Sequence, residues 1–263
     1  MAQMHICIVS ELYPTKYYSA FAFADQLVRQ LVDLGVKCTV VAPQSVTGRV
    51  INHDPLVPVY EKHYTSKGNS FDVYRPYTIS VSNLRFRGTK MSLYLMRLSV
   101  EHCLSRYKLR PDLFYCHFWH SSYFVIKYAR LHKIPVFVAS GESKISIRDC
   151  YRPSVIERIS SYVSGVICVS SKNKDESLSL QLTTEEKAIV IPNAIDSSRF
   201  YLLDRNRMRE ELHFSPEDFI LAFVGAFVHR KGTDRVSAAL SLLGNPGIKS
   251  IFIGKGPVEP DCE

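Results

Sequence analysis

Short apolar segments alternate with helical segments along almost the whole chain, and this alternation is the feature that most constrains the fold. The segments that predict strands are residues 5–9, 36–42, 71–75, 113–116, 136–139, 165–170, 188–191, 219–224 and 249–253. The segments that predict helices are residues 19–34, 89–107, 123–132, 153–163, 172–180, 205–212 and 233–243. Strands this apolar, separated by helices, predict an α/β fold whose parallel sheet is covered on both faces. Residues 44–70 read as a loop with short extended pieces such as 57–60.

Ligands of such sheets bind beyond the carboxyl ends of the strands, which directs attention to the loops that follow them. These loops are residues 10–18, 116–120, 139–144, 192–196, 225–232 and 254–257. A polar, charged stretch then precedes a fresh strand and suggests a domain boundary. We predict a first Rossmann-like domain over 1–195, a linker over 196–213 and a partial second Rossmann-like domain over 214–263.

The composition is that of a globular protein. Of 263 residues, 46% are hydrophobic and 22% are charged, which excludes a disordered chain. No apolar run approaches the roughly 18 residues of a membrane-spanning helix, and the first apolar run reads as a strand rather than a signal peptide. The seven cysteines are scattered and form no C-x-x-C pair, so we expect buried thiols and a cytoplasmic protein.

The net charge of +8 is concentrated in the first half of the chain. Residues 1–130 contain 16 Lys and Arg against 8 Asp and Glu, and residues 85–110 contain seven basic residues with Glu101 as the one acid. A helix in this stretch would either lie on an anionic membrane surface, peripheral to its inner face, or pack on the core with a solvated basic face. Nucleic-acid binding is not expected, because no nucleic-acid module is recognisable.

Two strand-end loops in the last fifty residues have the composition of a phosphate site. Gly225 follows the strand at 219–224 and allows close backbone approach, and Arg230 and Lys231 come directly before a helix. Cations, glycines and helix N-terminal amides together suit a diphosphate. A second corner of this kind reads IGKGP over residues 253–257 and contains Gly254, Gly256 and Pro257.

Three motifs in order make the chain resemble the retaining nucleotide-sugar glycosyltransferases of family four. Residues 191–200 read IPNAIDSSRF and resemble the family's linker motif I-P-N-G-V-D-x-x-x-F. Residues 224–232 read VGAFVHRKG and resemble its donor loop, and residues 253–257 resemble its G-x-G-P turn. The resemblance covers essentially the whole chain. It implies the GT-B fold, which consists of two Rossmann-like domains.

The resemblance also implies roles for individual residues. Lys231 and Arg230 would hold the diphosphate of a nucleotide-sugar donor, while Gly225, Gly254, Gly256 and Pro257 would shape the nucleotide pocket. His117 and Glu142 would be the catalytic residues that face the acceptor and the reacting sugar. Asn193 and Asp196 would belong to the interdomain linker. The acceptor would be a glycan or a lipid-linked molecule, as in polysaccharide biosynthesis, and neither a metal nor another cofactor is expected.

The sequence departs from the family pattern at several positions. Ala226 stands where an Arg is frequent, Ser140 replaces a histidine, and residues 13–20 are bulky where the family has a glycine pair. The family's two glutamates, seven residues apart, do not follow Pro257. We therefore expect a truncated second domain and a chain that is inactive by itself.

Alternative interpretations stay open for the site residues and for the function. His117 would otherwise be a core histidine bonded to backbone, Glu142 a helix cap or ion-pair partner, and Asn193 a turn residue. At the level of function, the alternatives to a transferase are a degenerate, non-catalytic glycosyltransferase that binds an acceptor or partner chain, and a GT-B sugar-nucleotide epimerase.

Overall fold

The structure is a computed structural model that describes residues 3–17, 21–51, 53–81 and 84–258. The contacts within the chain divide it into two compact units, Met1–Ala194 and Ile195–Glu263. The alternation of strands and helices that the sequence predicts continues through both units.

The first unit contains most of the regular structure. Its strands are β1 (His5–Val9), β2 (Lys37–Val41), β3 (Gln44–Ser45), β4 (Tyr60–Tyr64), β5 (Ser70–Tyr74), β6 (Tyr77–Thr78), β7 (Arg85–Phe86), β8 (Thr89–Lys90), β9 (Leu113–His117), β10 (Val136–Ser140), β11 (Val163–Cys168) and β12 (Ala188–Val190). Its helices are α1 (Ala22–Asp33), α2 (Val46–Ile51), α3 (Met91–Arg106), α4 (Trp119–His132), α5 (Ile147–Cys150), α6 (Pro153–Tyr162) and α7 (Ser171–Ser179).

Eight of these strands form one sheet in the order β12-β11-β10-β9-β1-β2-β5-β4. All neighbours are parallel except β4 and β5, which pair antiparallel at one edge. In the centre, Cys7 of β1 lies opposite Thr39 of β2 and Phe114 of β9. The carboxyl ends of β1, β9 and β10 therefore lie side by side at one edge of the sheet.

The predicted loop at residues 44–70 is wrong, because this stretch contains β3, α2 and β4. The sequence does not reveal strand β4, for a physical reason. It is an edge strand that reads Tyr-Glu-Lys-His-Tyr, and its residues are alternately exposed and half-buried. An edge strand needs no apolar run, and polar or charged side chains protect its open edge from further pairing.

Two buried clusters lie on opposite faces of the sheet, as the sequence predicts. Cys7 and Val9 of β1 belong to the larger cluster, which includes α3, α4 and α6, whereas Ile8 belongs to the cluster beneath α1. Successive strand residues point to opposite faces, so an unbroken apolar strand serves both cores. The described cysteines are buried free thiols, as predicted: Cys7, Cys38, Cys103, Cys116, Cys150 and Cys168. Cys262 lies outside the described residues.

The basic helix α3 packs on the core through Leu93, Val100 and Leu104, which are buried. Its Arg97 is paired with Glu101 at 2.7 Å between Nη1 and Oε1. The alternative of a core-packed helix therefore describes α3 itself. No described helix is long and apolar enough to cross a membrane.

The second unit is built around one strand–helix–strand element. Its regular elements are α8 (Arg205–Glu211), β13 (Phe219–Val224), a 3-10 turn (His229–Lys231), α9 (Thr233–Leu243) and β14 (Ile248–Ile253). Strands β13 and β14 are parallel, with Phe219 opposite Ile248 and Val224 opposite Ile253. The side chains of Phe219, Val224 and Ile253 are exposed. Both loops of the predicted phosphate site thus lie at the carboxyl ends of neighbouring strands.

Candidate functional site

The carboxyl ends of β1, β9 and β10 bring together the chemistry-bearing residues of the first unit. Ser10 and Glu11 follow β1, His117 ends β9, and Glu142 follows β10. Several buried polar atoms here have no hydrogen-bond partner among the described residues: Ser10 Oγ, both ring nitrogens of His117, and Trp119 Nε1. Buried polar groups are nearly always paired, so this edge of the sheet offers donors and acceptors to a ligand.

His117 is 7% exposed and lies among aromatic rings. Its ring centroid is 4.2 Å from that of Phe118, 4.9 Å from Phe23 and 5.4 Å from Phe21. Burial lowers the pKa of the imidazole to about 4, so His117 is neutral at physiological pH. The alternative of a core histidine bonded to backbone does not describe it, because neither ring nitrogen is bonded to any described residue.

Glu142 caps helix α4. Its Oε1 accepts the Trp119 backbone N–H at 2.7 Å, and its Oε2 accepts the Gly141 N–H and the Ser140 hydroxyl, both at 3.0 Å. A carboxylate at a helix N-terminus satisfies an orphan amide and interacts favourably with the helix dipole. This geometry is that of the helix-cap alternative. It also explains why α4 begins at Trp119 rather than at the predicted residue 123.

The turn between β9 and α4 is strained at Phe118. Its φ is 69° and its ψ is 160°, a combination of backbone angles that residues with a Cβ rarely adopt. The Phe118 N–H donates to the Ala139 carbonyl at 2.9 Å, which fixes the turn against β10. The strained turn and the Glu142 cap both lie at the same edge of the sheet as His117.

Glu11 is a candidate that the sequence predictions omitted. Burial, and then the charge of Glu142, raise the pKa of its carboxyl group to about 7. A carboxyl with this pKa can accept or donate a proton near neutral pH. The signal that would have found Glu11 is its position, since it is the first titratable residue after β1 at the edge where ligands of parallel sheets bind.

His120 and Tyr151 extend this cluster. The His120 ring nitrogens lie 3.1 Å from the Tyr151 hydroxyl and 3.1 Å from Ser146 Oγ. Burial, and then the charge of Lys90, lower the pKa of His120 to about 4. Burial, and then the charge of Glu11, raise the pKa of Tyr151. The cluster is therefore neutral except for the carboxyl groups of Glu11 and Glu142.

In the second unit, Arg230 and Lys231 lie in the 3-10 turn that leads into α9, and both are exposed. Neither side chain forms a hydrogen bond or an ion pair with another described residue. Gly232 follows with a φ of 80°, and the buried Thr233 Oγ1 has no partner among the described residues. Free cations beside a helix N-terminus are the arrangement that binds phosphate.

The glycines of the two strand-end loops permit close backbone contact. Gly225 N–H donates to the Ile253 carbonyl, and Phe227 N–H donates to the Lys255 carbonyl, both at 2.9 Å. A Cβ at Gly254 would overlap the Gly225 carbonyl oxygen, and one at Gly256 would overlap the Phe227 carbonyl oxygen. Pro257 completes the second turn. These residues shape the loops, and their contact with a nucleotide stays a prediction.

The two linker residues differ in their contacts. Asp196 accepts the Ser198 N–H at 3.0 Å and the Ser198 hydroxyl at 2.6 Å through Oδ1, and these bonds lower its pKa. Asp196 therefore fixes a turn. Asn193 is exposed, and its role in the linker stays a prediction. Within the described parts of the chain, no three His, Cys, Asp or Glu residues are grouped as a metal site would require.

Solved structures of the GT-B class align with the chain and show that its mainly parallel α/β architecture is that fold. Sucrose-phosphate synthase from Thermosynechococcus elongatus aligns at a TM-score of 0.64 and 14% identity, over 99% of this chain and 64% of its own. Alr3699/HepE from Anabaena, solved in complex with UDP, aligns at a TM-score of 0.62 and 13% identity, over 96% and 61%.

Residues 21–199 match the model of Glycosyltransferase Family 4, and the chain belongs to that family. This confirms the family that the sequence motifs suggested. A curated relative, the D-inositol 3-phosphate glycosyltransferase of Actinosynnema mirum, is 31% identical over 100 residues, which cover 37% of this chain and 24% of that protein. The chain thus spans less than two thirds of the length of each of these relatives.

Proposed function

We propose that this chain is part of a glycosyltransferase that moves a sugar from a nucleotide-diphosphate donor to a glycan or lipid-linked acceptor with retention of configuration. The family membership supports the transferase class. The solved relative Alr3699/HepE binds UDP, which supports a nucleotide donor. In this proposal, the edge of the first sheet near His117 receives the acceptor, and the loops of the second unit hold the donor.

One observation carries the proposal most directly, namely that Arg230 and Lys231, in the turn before α9, pair with no described residue. Lys231 and Arg230 would bind the donor diphosphate and stabilise the charge that develops on the leaving nucleotide. The helix N-terminus and the glycine loops would supply backbone amides beside them. In the first unit, His117 would form a hydrogen bond with the reacting sugar, either as donor or as acceptor. Its imidazole is neutral near pH 7, because burial lowers its pKa to about 4.

Lys231→Ala tests the donor assignment. We expect this variant to weaken nucleoside-diphosphate binding about tenfold or more, measured by calorimetry, and to abolish the sugar transfer of an active parent protein. Lys249→Ala is the matched control, since Lys249 is an exposed lysine of the same unit in β14. Near-normal turnover by Lys231→Ala would remove the phosphate assignment.

We further propose that the second unit needs additional strands before it binds a donor well, and that these 263 residues alone transfer little or no sugar. The support is the exposure of apolar strand residues in β13 and β14, such as Val224 at 72% and Phe219 at 65%. Apolar strand faces are normally covered in this class of sheet. Robust transfer by the purified chain with a panel of nucleotide sugars would overturn this proposal.

Peripheral contact with an anionic membrane, inside the cytoplasm, is a further part of the proposal. The β7–β8 hairpin presents exposed Leu84 and Phe86 beside the exposed cations Arg87 and Lys90. This combination suits an anionic lipid surface. We expect the chain to float with anionic liposomes at low salt, and the Arg87→Glu/Lys90→Glu variant to lose this binding. Lys127→Glu/Arg130→Glu, which changes the same charge on α4, should still float.

A further inference from the structure

A cavity of about 630 Å³ lies in the first unit between helix α3 and strand β6. Its volume is within the roughly 300–1,000 Å³ that is usual for small-molecule sites. Neither His117 nor Glu142 lines it, so it is separate from the candidate site at the carboxyl edge of the sheet. The motifs of the sequence and the predicted donor loops assign this cavity no role.

One face of α3 forms a long wall of the cavity. Its lining residues recur every three or four positions and therefore lie on one side of the helix: Leu95, Leu98, Ser99, His102, Cys103 and Arg106. At a rise of about 1.5 Å per residue, this wall extends about 16 Å along the helix axis from the first of them to the last. The cavity is thus a groove whose length is set by three turns of α3.

The lining of this groove is mainly apolar and partly open to water. Leu98 is 39% exposed, and Ile79 on the opposite wall is 51% exposed. Covering such side chains with apolar ligand atoms is favourable. The Ser99 hydroxyl already donates to the Met96 carbonyl at 2.9 Å, so it offers no free proton to a ligand. An extended alkyl chain therefore suits the groove better than a sugar, whose hydroxyls would lose hydrogen bonds to water there.

Arg106 places a cation at one end of the groove. Its guanidinium is exposed and pairs with no described residue, whereas Arg97 of the same helix is paired with Glu101. None of the described residues that line the groove is Asp or Glu, and residues 102–111 contain no acid in the sequence. Lys108, which is exposed, adds a second positive charge at this end of α3. An unpaired guanidinium suits a carboxylate, which it binds by charge-assisted hydrogen bonds.

We propose that this groove binds the anion of a fatty acid, with the alkyl chain along α3 and the carboxylate at Arg106. A second copy of the chain is a poorer occupant, because residues 1–130 carry a net charge of 16 − 8 = +8 and two copies would repel each other. The length of the apolar wall and the single cation of its lining match one chain with one charged end. This binding function lies beyond the proposed sugar transfer and does not depend on it.

The test is calorimetric titration of the full chain with three amphiphiles, each below the concentration at which it forms micelles. Dodecanoate has the charged end and the long chain, octanoate has the same end on a shorter chain, and dodecyl maltoside has the long chain on a neutral end. We expect saturable binding of one dodecanoate per chain, at least tenfold tighter than octanoate and about fivefold tighter than dodecyl maltoside.

The first variant, Arg106→Gln, separates the contribution of the charge from that of the apolar wall. It should weaken dodecanoate about fivefold and leave dodecyl maltoside unchanged, because only the carboxylate uses the guanidinium. Lys127→Gln is its matched control, since it removes an exposed cation of the neighbouring helix α4 outside the lining. Arg106 is exposed, so its replacement should leave the fold unchanged.

The second variant, Leu98→Trp, fills the groove and should weaken both long-chain amphiphiles about tenfold. Leu131→Trp makes the same change at an exposed leucine of α4 and should leave both affinities unchanged. The proposal is overturned if dodecanoate shows no saturable binding, or if either variant loses no more affinity than its control. Saturable binding of an acidic oligosaccharide in place of dodecanoate would also overturn it. No probe contains a nucleotide, so failure of the transferase function leaves these results unaffected.

Discussion

At the scale of residues, the carboxyl edge of the first sheet contains imidazole and carboxyl groups whose pKa values are shifted by burial. His117 and His120 have pKa values lowered to about 4, and Glu11 has a pKa raised to about 7. The common cause is burial, which disfavours whichever form is charged. At pH 7 the edge therefore holds neutral imidazoles beside a carboxyl group that is half protonated.

Glu11 makes a pH-dependent contribution to stability. Its pKa is about 7 in the folded chain and about 4.3 in an unfolded one. The folded chain thus binds more protons between these values, and stability falls as pH rises through that range. We therefore expect the free energy of unfolding of Glu11→Gln, relative to that of the parent, to rise by about 2 kcal/mol when the pH is raised from 5 to 8. The measurement is urea unfolding followed by Trp119 fluorescence, since Trp119 is the single tryptophan and is buried in the first unit.

The control for this prediction is Glu157→Gln, which changes an exposed glutamate of α6. It should shift the free energy of unfolding by a similar small amount at both pH values. A pH-independent effect of Glu11→Gln would mean that Glu11 titrates in the folded chain as it does in water. Glu11 would then not exchange a proton near pH 7.

At the scale of elements, backbone contact between two turns holds the predicted donor loop. Because a Cβ at position 254 or 256 would overlap a carbonyl oxygen of the neighbouring turn, we expect Gly254→Ala and Gly256→Ala to separate the ends of β13 and β14. The amides of Gly225 and Phe227 should then exchange hydrogen faster, and nucleoside-diphosphate binding should weaken.

Gly247→Ala provides the comparison for the glycine variants. A Cβ at Gly247 would meet only the movable side-chain oxygen of Asn245, at 3.2 Å. Amide exchange at Gly225 and Phe227 should therefore change little in this variant. If the amides of Gly225 and Phe227 exchanged as slowly in Gly254→Ala as in Gly247→Ala, the two loops would not depend on the close contact between their backbones.

At the scale of the whole molecule, the two units differ in how much apolar surface they bury. Both large buried clusters consist of residues of the first unit. Residues 200–203 at the start of the second unit are exposed apolar residues, with Leu202 fully exposed. We expect chymotrypsin to cut first at Phe200, Tyr201 or Leu202, and the resulting N-terminal fragment to keep the Trp119 unfolding transition of the full chain. Mass spectrometry identifies the cut.

A variant with Phe200, Tyr201 and Leu202 all changed to Ser is the control for proteolysis. It should resist the first cut and leave the Trp119 transition unchanged, because these side chains pack on neither cluster. A first cut inside residues 1–194, or a fragment without the Trp119 transition, would show that the first unit depends on the rest of the chain for its stability.

The sequence by itself determined the α/β architecture and the family, and it predicted the residues of the donor loops. Unbroken apolar strands such as 5–9 need cover on both faces, and this requirement is visible in the residues alone. Gly225, Arg230, Lys231 and Gly254 could be predicted as donor-loop residues because the residues of a loop motif are contiguous in the chain. The retaining mechanism and the roles of these residues remain predictions.

Only the tertiary structure decided what depends on residues distant in sequence. Glu142 caps a helix that begins 23 positions earlier, and Glu11 owes its shifted pKa to burial and to that same carboxylate. The antiparallel edge strand β4 was also invisible in the sequence. Burial and charge pairing arise when separate strands and helices meet, so local composition and periodicity do not encode them.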